Sequence, residues 1–192
     1  MEEDLEIINT GFERVFVTVG TTKFPKLIDV VTSSDIHEAF LELGVTCVLL
    51  QYGKDYPIHS LCDKGFKLLE KQEDSVTYCS PDNEIVFHCI EYTNKFIGNI
   101  RESDLVIGHA GAGTCLEVLR ETVPLIIVIN EDLMDNHQQE LAEKLQEEGY
   151  AYYCKTEQLK NALLNYKTRK PYPIADPYTF PDYLDKCMGY TD

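Results

Sequence analysis

In the stretch VIGHAGAGTCLEVLRETVPLIIVIN, residues 106–130, one histidine and a run of very small side chains separate an apolar strand from a helix. His109, Gly111, Ala112, Gly113 and Thr114 offer little to pack, so the segment suits a close approach of main chain to something bound. A strand, a glycine turn and a helix opening at Thr114 bring free N–H groups and the positive end of a helix dipole to one point. That is an anion site, and a compact diphosphate is its natural occupant. Glu117, one turn later, is placed to accept from the vicinal hydroxyls of a ribose. A tight glycine turn closing an ordinary crossover is the plainer reading of the same residues.

A dinucleotide fingerprint is the nearest rival, because Glu131 follows about twenty residues on, at the end of the next strand. It fails in detail: Leu116 stands where the third glycine is wanted, and the loop follows about the fourth strand instead of the first. Gly113-Thr114 lacks the lysine of a Walker loop, and Gly-x-Ser-x-Gly is absent. Cys115 is not set up as a phosphatase nucleophile, since Arg120 follows it too soon and no signature loop surrounds it.

The second chemical cluster is MDNHQQELAEKLQEEGY, residues 134–150. Asp135, Asn136, His137, Gln138 and Gln139 crowd the start of a helix whose apolar positions Leu141, Ala142 and Leu145 recur at helical spacing. These side chains can cap the helix. They also carry the donors and acceptors that sugar hydroxyls need, and with the glycine loop they favour a nucleotide-sugar.

These residues need an element order that gathers them. Short β-rich runs fall at residues 15–19, 46–50, 85–90, 105–107, 125–129 and 151–153, and helix-like segments lie between them at 26–43, parts of 60–70, 94–103, 114–121, 136–148 and 157–165. The alternation predicts an α/β fold with a mostly parallel sheet. Right-handed crossovers then put the strand-to-helix loops Gly20 to Lys23, Tyr92 to Asn94, His109 to Thr114 and Asn130 to Asn136 on one edge, where ligands bind. Residues 71–84 read as a polar surface loop or short hairpin. Residues 1–166 form the expected domain. Residues 167–192, with Pro171, Pro173, Pro177 and Pro181 and several aromatics, read as an extended tail ending in a short helix, packed on its own sheet or offered to a partner.

Thirty-three acidic against 17 basic residues give a net charge of -16, which disfavours nucleic acid and anionic membrane surfaces as partners. Seven cysteines without a C-x-x-C pair do not form a disulfide framework and fit a reducing compartment. The N-terminus lacks the pattern of a signal peptide, and the longest aliphatic runs are too short to span a bilayer. The chain is expected to be cytoplasmic.

Three segments, VFVTVGTTKFPKL at 15–27, SDLVIGHAGAGTCLEVL at 103–119 and LMDNHQQELAEKL at 133–145, carry a resemblance. The chain resembles the small donor-binding subunits of the two-subunit GlcNAc transferases of dolichol-linked oligosaccharide synthesis, of glycosyltransferase family 28. More distantly it resembles the donor half of the bacterial lipid II GlcNAc transferase. The resemblance implies a Rossmann-like, mostly parallel sheet with helices on both faces, equivalent to the C-terminal half of a GT-B glycosyltransferase. It implies UDP-GlcNAc as donor, GlcNAc-diphosphodolichol as acceptor, and a membrane-anchored partner supplying the acceptor half at the cytosolic face of the endoplasmic reticulum. By match to the family motifs, His109 and the Gly111 to Thr114 backbone contact diphosphate, Glu117 the ribose, and Asn136, Gln138 and Gln139 the GlcNAc hydroxyls. Tyr92 and Thr93 align with the uracil loop. Gly20 and Thr21 occupy the first-strand loop, departing from the bacterial Gly-Gly-Ser pattern. Lys23 adds charge there or is a solvated surface lysine. His109 is the catalytic candidate, assisting the leaving group, while the base for the acceptor hydroxyl is expected on the partner. No cofactor and no metal are expected. The rival functions are an oxidoreductase fragment binding a dinucleotide and a non-enzymatic nucleotide-sugar-binding assembly factor.

Overall fold

The computed structural model describes residues 11–131, 136–167 and 169–173, without the side chains of 136 and 137. Each β-rich run becomes a strand: β1 (Arg14–Thr18), β2 (Cys47–Gln51), β5 (Val86–Ile90), β6 (Leu105–His109), β7 (Leu125–Ile129) and β8 (Tyr152–Lys155). These six run parallel in the order β5-β2-β1-β6-β7-β8. Apolar sequences such as LIIVI in β7 and LVIGH in β6 are nearly continuous because a parallel sheet is covered on both faces.

Helices α1 (Pro25–Val31), α2 (Ser34–Glu42) and α6 (Leu159–Leu164) cover one face. There Leu27, Ile28, Phe40 and Leu163 pack on Val17, Val48, Leu50 and Ile107. On the other face α3 (Phe96–Arg101), α4 (Ala112–Arg120) and α5 (Asn136–Glu147) bury Ile100, Cys115, Val118, Ala142 and Leu145 against Phe16, Val106 and Ile127. This is the mostly parallel α/β arrangement expected from the alternation, and the Rossmann-like one that the resemblance implies.

Two expectations are corrected. The helix over 26–43 is two helices: Thr32 Oγ1 donates to the Ile28 carbonyl at 2.8 Å, Ser33 Oγ to that of Val30 at 2.7 Å, and Ser33 then caps α2. Hydroxyls that compete for helix carbonyls end one helix and begin the next. The helix expected within 60–70 is a 3-10 turn, Ile58–Lys64, stopped by Gly65 at φ +86°. The chain then enters β3 (Lys67–Lys71) and β4 (Ser75–Cys79), an antiparallel hairpin that extends the sheet beyond β5. β3 is exposed along its length, and Lys67, Glu70 and Lys71 guard this edge.

The first residues of the proline-rich tail fold back. Lys170 N–H donates to the Gly149 carbonyl at 2.9 Å, the Arg169 guanidinium lies 4.5 Å from the Tyr152 ring centroid, and Tyr172 meets Tyr150 edge-on at 5.1 Å. Residues 174–192 lie outside the described part. Among the described residues no helix is long and apolar enough to cross a membrane, and the six described cysteines are free thiols.

Candidate functional site

Strand order reverses at β1, which has β2 on one side and β6 on the other. Loops leaving the carboxyl ends of β1 and β6 diverge there and open a crevice, the usual ligand position in such a sheet. The crevice is a cavity of about 420 Å³. His109, Gly111 and Gly20 meet at its base, Thr21 and Gln51 come from the first two loops, and Gly113, Thr114 and Glu117 line it from α4. Tyr92, Thr93 and Phe96 close the remaining side. A wider hollow of about 1000 Å³ shares Tyr92 and Thr93 and continues toward the β3–β4 hairpin, but it lacks the glycine loop and the helix start.

The small side chains around His109 now have a steric reason. A Cβ on Gly20 would lie 2.4 Å from His109 Cε1, and one on Gly111 would lie 2.3 Å from His109 Nε2. Gly20 also sits at φ +59°, a conformation that L side chains rarely adopt. The imidazole is thus wedged between two glycines. It is 5% exposed, and its Nδ1 is fully enclosed without a hydrogen-bond partner among the described residues. Burial lowers its pKa from the ordinary value of 6.5, so the ring is neutral at neutral pH.

Helix α4 begins at Ala112, after Gly111 in an extended conformation, and no side chain caps it. Its first-turn N–H groups therefore have no intrahelical acceptors and adjoin the cavity. A Cβ added at Gly113 would meet nothing within 4 Å, so packing within the chain does not require glycine there. Cys115 is completely buried beneath the loop, where burial pushes its thiol up to about 12 and removes it as a nucleophile.

The cavity gathers Gly20, Thr21, Tyr92, Thr93, His109, Gly111, Gly113, Thr114 and Glu117 from the sequence-expected set. Ala112 opens α4 but is not on the lining. Gln138 is half-buried and Gln139 exposed at the start of α5, outside the lining, and Gln139 Nε2 donates to Glu143 at 2.8 Å. The side chain of Asn136 lies outside the described residues. Lys23 turns aside to pair with Asp55 at 2.6 Å. Glu131 is held by Lys155 at 2.5 Å and Lys26 at 3.9 Å, an engagement that further weakens the dinucleotide alternative. Among the described residues no group of three metal-ligating side chains occurs.

Gln51 and Phe96 lie outside the three motif segments, and Thr18 lies within the first of them without an assigned role. Thr18 Oγ1 donates to Gln51 Oε1 at 2.5 Å and accepts from the Gly20 N–H at 3.0 Å, while Gln51 Nε2 donates to the Gly20 carbonyl at 2.8 Å. The sequence signal is slight: a threonine inside the apolar run at 15–19 and a glutamine just after the run at 46–50, at the edge where ligands bind.

Comparison with known proteins gives the family and the fold. The model of the glycosyltransferase family 28 C-terminal domain matches residues 14–179. The UDP-N-acetylglucosamine transferase subunit ALG13 of Cryptococcus neoformans is 32% identical, with 92% of this chain and 96% of the relative covered. That of Mus musculus is 36% identical over 74% of this chain, which spans only 11% of the mouse protein's length. An NMR solution structure of ALG13 superposes with a TM-score of 0.66 at 30% identity, covering 90% of this chain and 94% of that one. Acinetobacter baumannii MurG shares the fold, with a TM-score of 0.56 at 17% identity over 85% of this chain and 40% of its own. The chain belongs to the glycosyltransferase family 28 C-terminal domain family, in the group of the UDP-N-acetylglucosamine transferase subunits.

Proposed function

We propose that the chain is the donor-binding catalytic subunit of an inverting glycosyltransferase that moves GlcNAc from UDP-GlcNAc to GlcNAc-diphosphodolichol. One observation carries the reading: a neutral, wedged histidine with an enclosed, unpartnered nitrogen stands beside an uncapped helix start in a cavity. In this pose the diphosphate accepts from the N–H groups of Gly111 to Thr114, and Glu117 accepts from the ribose. Tyr92 and Thr93 receive the uracil, Gly20 and Thr21 close over the donor, and Asn136, Gln138 and Gln139 take the GlcNAc hydroxyls.

Forming a β-1,4 bond from an α-linked donor inverts the anomeric carbon in one displacement. The acceptor hydroxyl must lose a proton, and negative charge grows on the departing diphosphate. Fixed N–H groups of α4 stabilise that charge where it develops, with no reorganisation during the step. His109, being neutral, contributes a hydrogen bond to the leaving group and not a full charge. The base acting on the acceptor comes from a membrane-anchored partner that supplies the acceptor half. That partner recruits the chain to the cytosolic face of the endoplasmic reticulum, because a chain with net charge -16 has no electrostatic attraction to an anionic leaflet.

The experiment is GlcNAc transfer to a GlcNAc-diphospholipid, with and without the membrane partner. Transfer is expected only in its presence, and Glu117→Ala is expected to lower kcat/KM by about 10-fold or more with the fold retained. Donor binding without transfer in any combination supports the assembly-factor alternative, and binding of NADH in preference to UDP-GlcNAc supports the oxidoreductase one.

A further inference from the structure

We propose that Thr18 and Gln51 form a positioning pair that fixes the His109 imidazole for leaving-group stabilisation. The inference rests on the donor-site reading above but concerns two residues to which the family resemblance assigns no role, Thr18 within the first of its segments and Gln51 outside all three. Both side chains are at most 1% exposed, and they are direct partners in the β1–β2 register, Thr18 opposite Gln51. Together they hold the Gly20 peptide by both of its polar groups: the N–H donates to Thr18 Oγ1 and the carbonyl accepts from Gln51 Nε2. The Thr18 hydroxyl gives its proton to Gln51 Oε1 as a hydrogen bond, which closes the ring of hydrogen bonds and fixes which way the Gln51 amide faces.

Turn closure alone does not call for this clamp. The turn after β1 is already closed by Thr22, whose N–H and Oγ1 both reach the Val19 carbonyl, at 3.2 and 3.0 Å. What the clamp adds is the place of Gly20, whose Cα edge rests against the Cε1 side of the His109 ring. Gly111 lies beside Nε2, which its missing side chain leaves uncovered, and the enclosed Nδ1 has no hydrogen-bond partner among the described residues to hold the ring. Contact with the two glycines therefore helps to set the ring's position, and one of the two is itself set by Thr18 and Gln51. A catalytic hydrogen bond made by a ring with no partner of its own depends on such support.

The test measures GlcNAc transfer by the full chain together with its membrane partner. Thr18→Val keeps the shape of the side chain and removes the hydroxyl, while Gln51→Glu keeps the length and removes the donor to Gly20. Each is expected to lower kcat about tenfold with KM for UDP-GlcNAc within about twofold, whereas Thr18→Ser, which retains the hydroxyl, stays near wild type. In a His109→Ala background, Thr18→Val is expected to have no further effect on kcat. A rate loss that persists there, or a wild-type rate in folded Thr18→Val and Gln51→Glu, overturns the proposal. The His109 ring resonances of the free chain provide a reading that needs no transfer. They are expected to move or broaden in Thr18→Val and not in Thr18→Ser, and unmoved ring signals in both variants overturn the positioning role. A wild-type chain that binds no UDP-GlcNAc would instead count against the donor site itself.

Discussion

Burying an imidazole with an enclosed, unpartnered nitrogen is unfavourable, and more so once the ring must carry a proton. Since burial lowers the His109 pKa below 6.5, the unfolded chain takes up its proton first as pH falls. Stability at this site is therefore intact above about pH 6.5 and declines as the pH drops toward the folded value. Urea midpoints measured from about pH 7.5 down to about 5.5 should fall less steeply for His109→Gln than for wild type; parallel slopes would contradict the assignment. Gly113 separates folding from binding, because its Cβ position is open and alanine favours a helix by up to about 1 kcal/mol. Gly113→Ala should leave the melting temperature unchanged or raised while weakening UDP-GlcNAc in isothermal titration. Unchanged affinity would place the diphosphate elsewhere. The spacing His109, Gly111, Gly113, Glu117 was legible because strand, turn and helix start are local in sequence. Thr18 and Gln51 were not, since their roles arise from a pairing 33 residues apart that no local pattern encodes.

Strand and helix alternation carried the element order from the sequence, and the departures fall where local chemistry competes with periodicity. Apolar spacing over residues 26–43 suits a single helix, but the Thr32 and Ser33 hydroxyls take helix carbonyls and divide it. Residues 60–70 failed for a different reason: Gly65 in the left-handed region ends the 3-10 turn, and pairing with β4 draws Lys67–Lys71 into a strand. Ser33 Oγ accepts from the Ile36 N–H at 3.4 Å, a long cap bond. Ser33→Ala should therefore cost about 0.5 to 1 kcal/mol in chemical denaturation, toward the low end of cap losses. A neutral effect would mean that the α1–α2 break is held by the Thr32 hydroxyl and the packing of Ile28, Val31 and Ile36 without help from the Ser33 cap.

At the scale of the molecule, the order β5-β2-β1-β6-β7-β8 makes a single crevice out of loops widely separated in sequence. The charge of -16 leaves attraction of a phosphorylated donor to local features, the helix start above all. Parallel topology was predictable from the alternation. The sequence admits a loop or a short hairpin at residues 71–84, and β3 escapes it because KLLEK has no two-residue period. Backbone amide NMR during titration with UDP-GlcNAc is the sharpest test of the donor site at the start of α4. The largest shifts are expected on the amides of Gly111 to Cys115 and on the His109 ring, saturating with the donor. Unmoved amides in that segment, with saturable shifts on another part of the molecule, would refute a diphosphate held there.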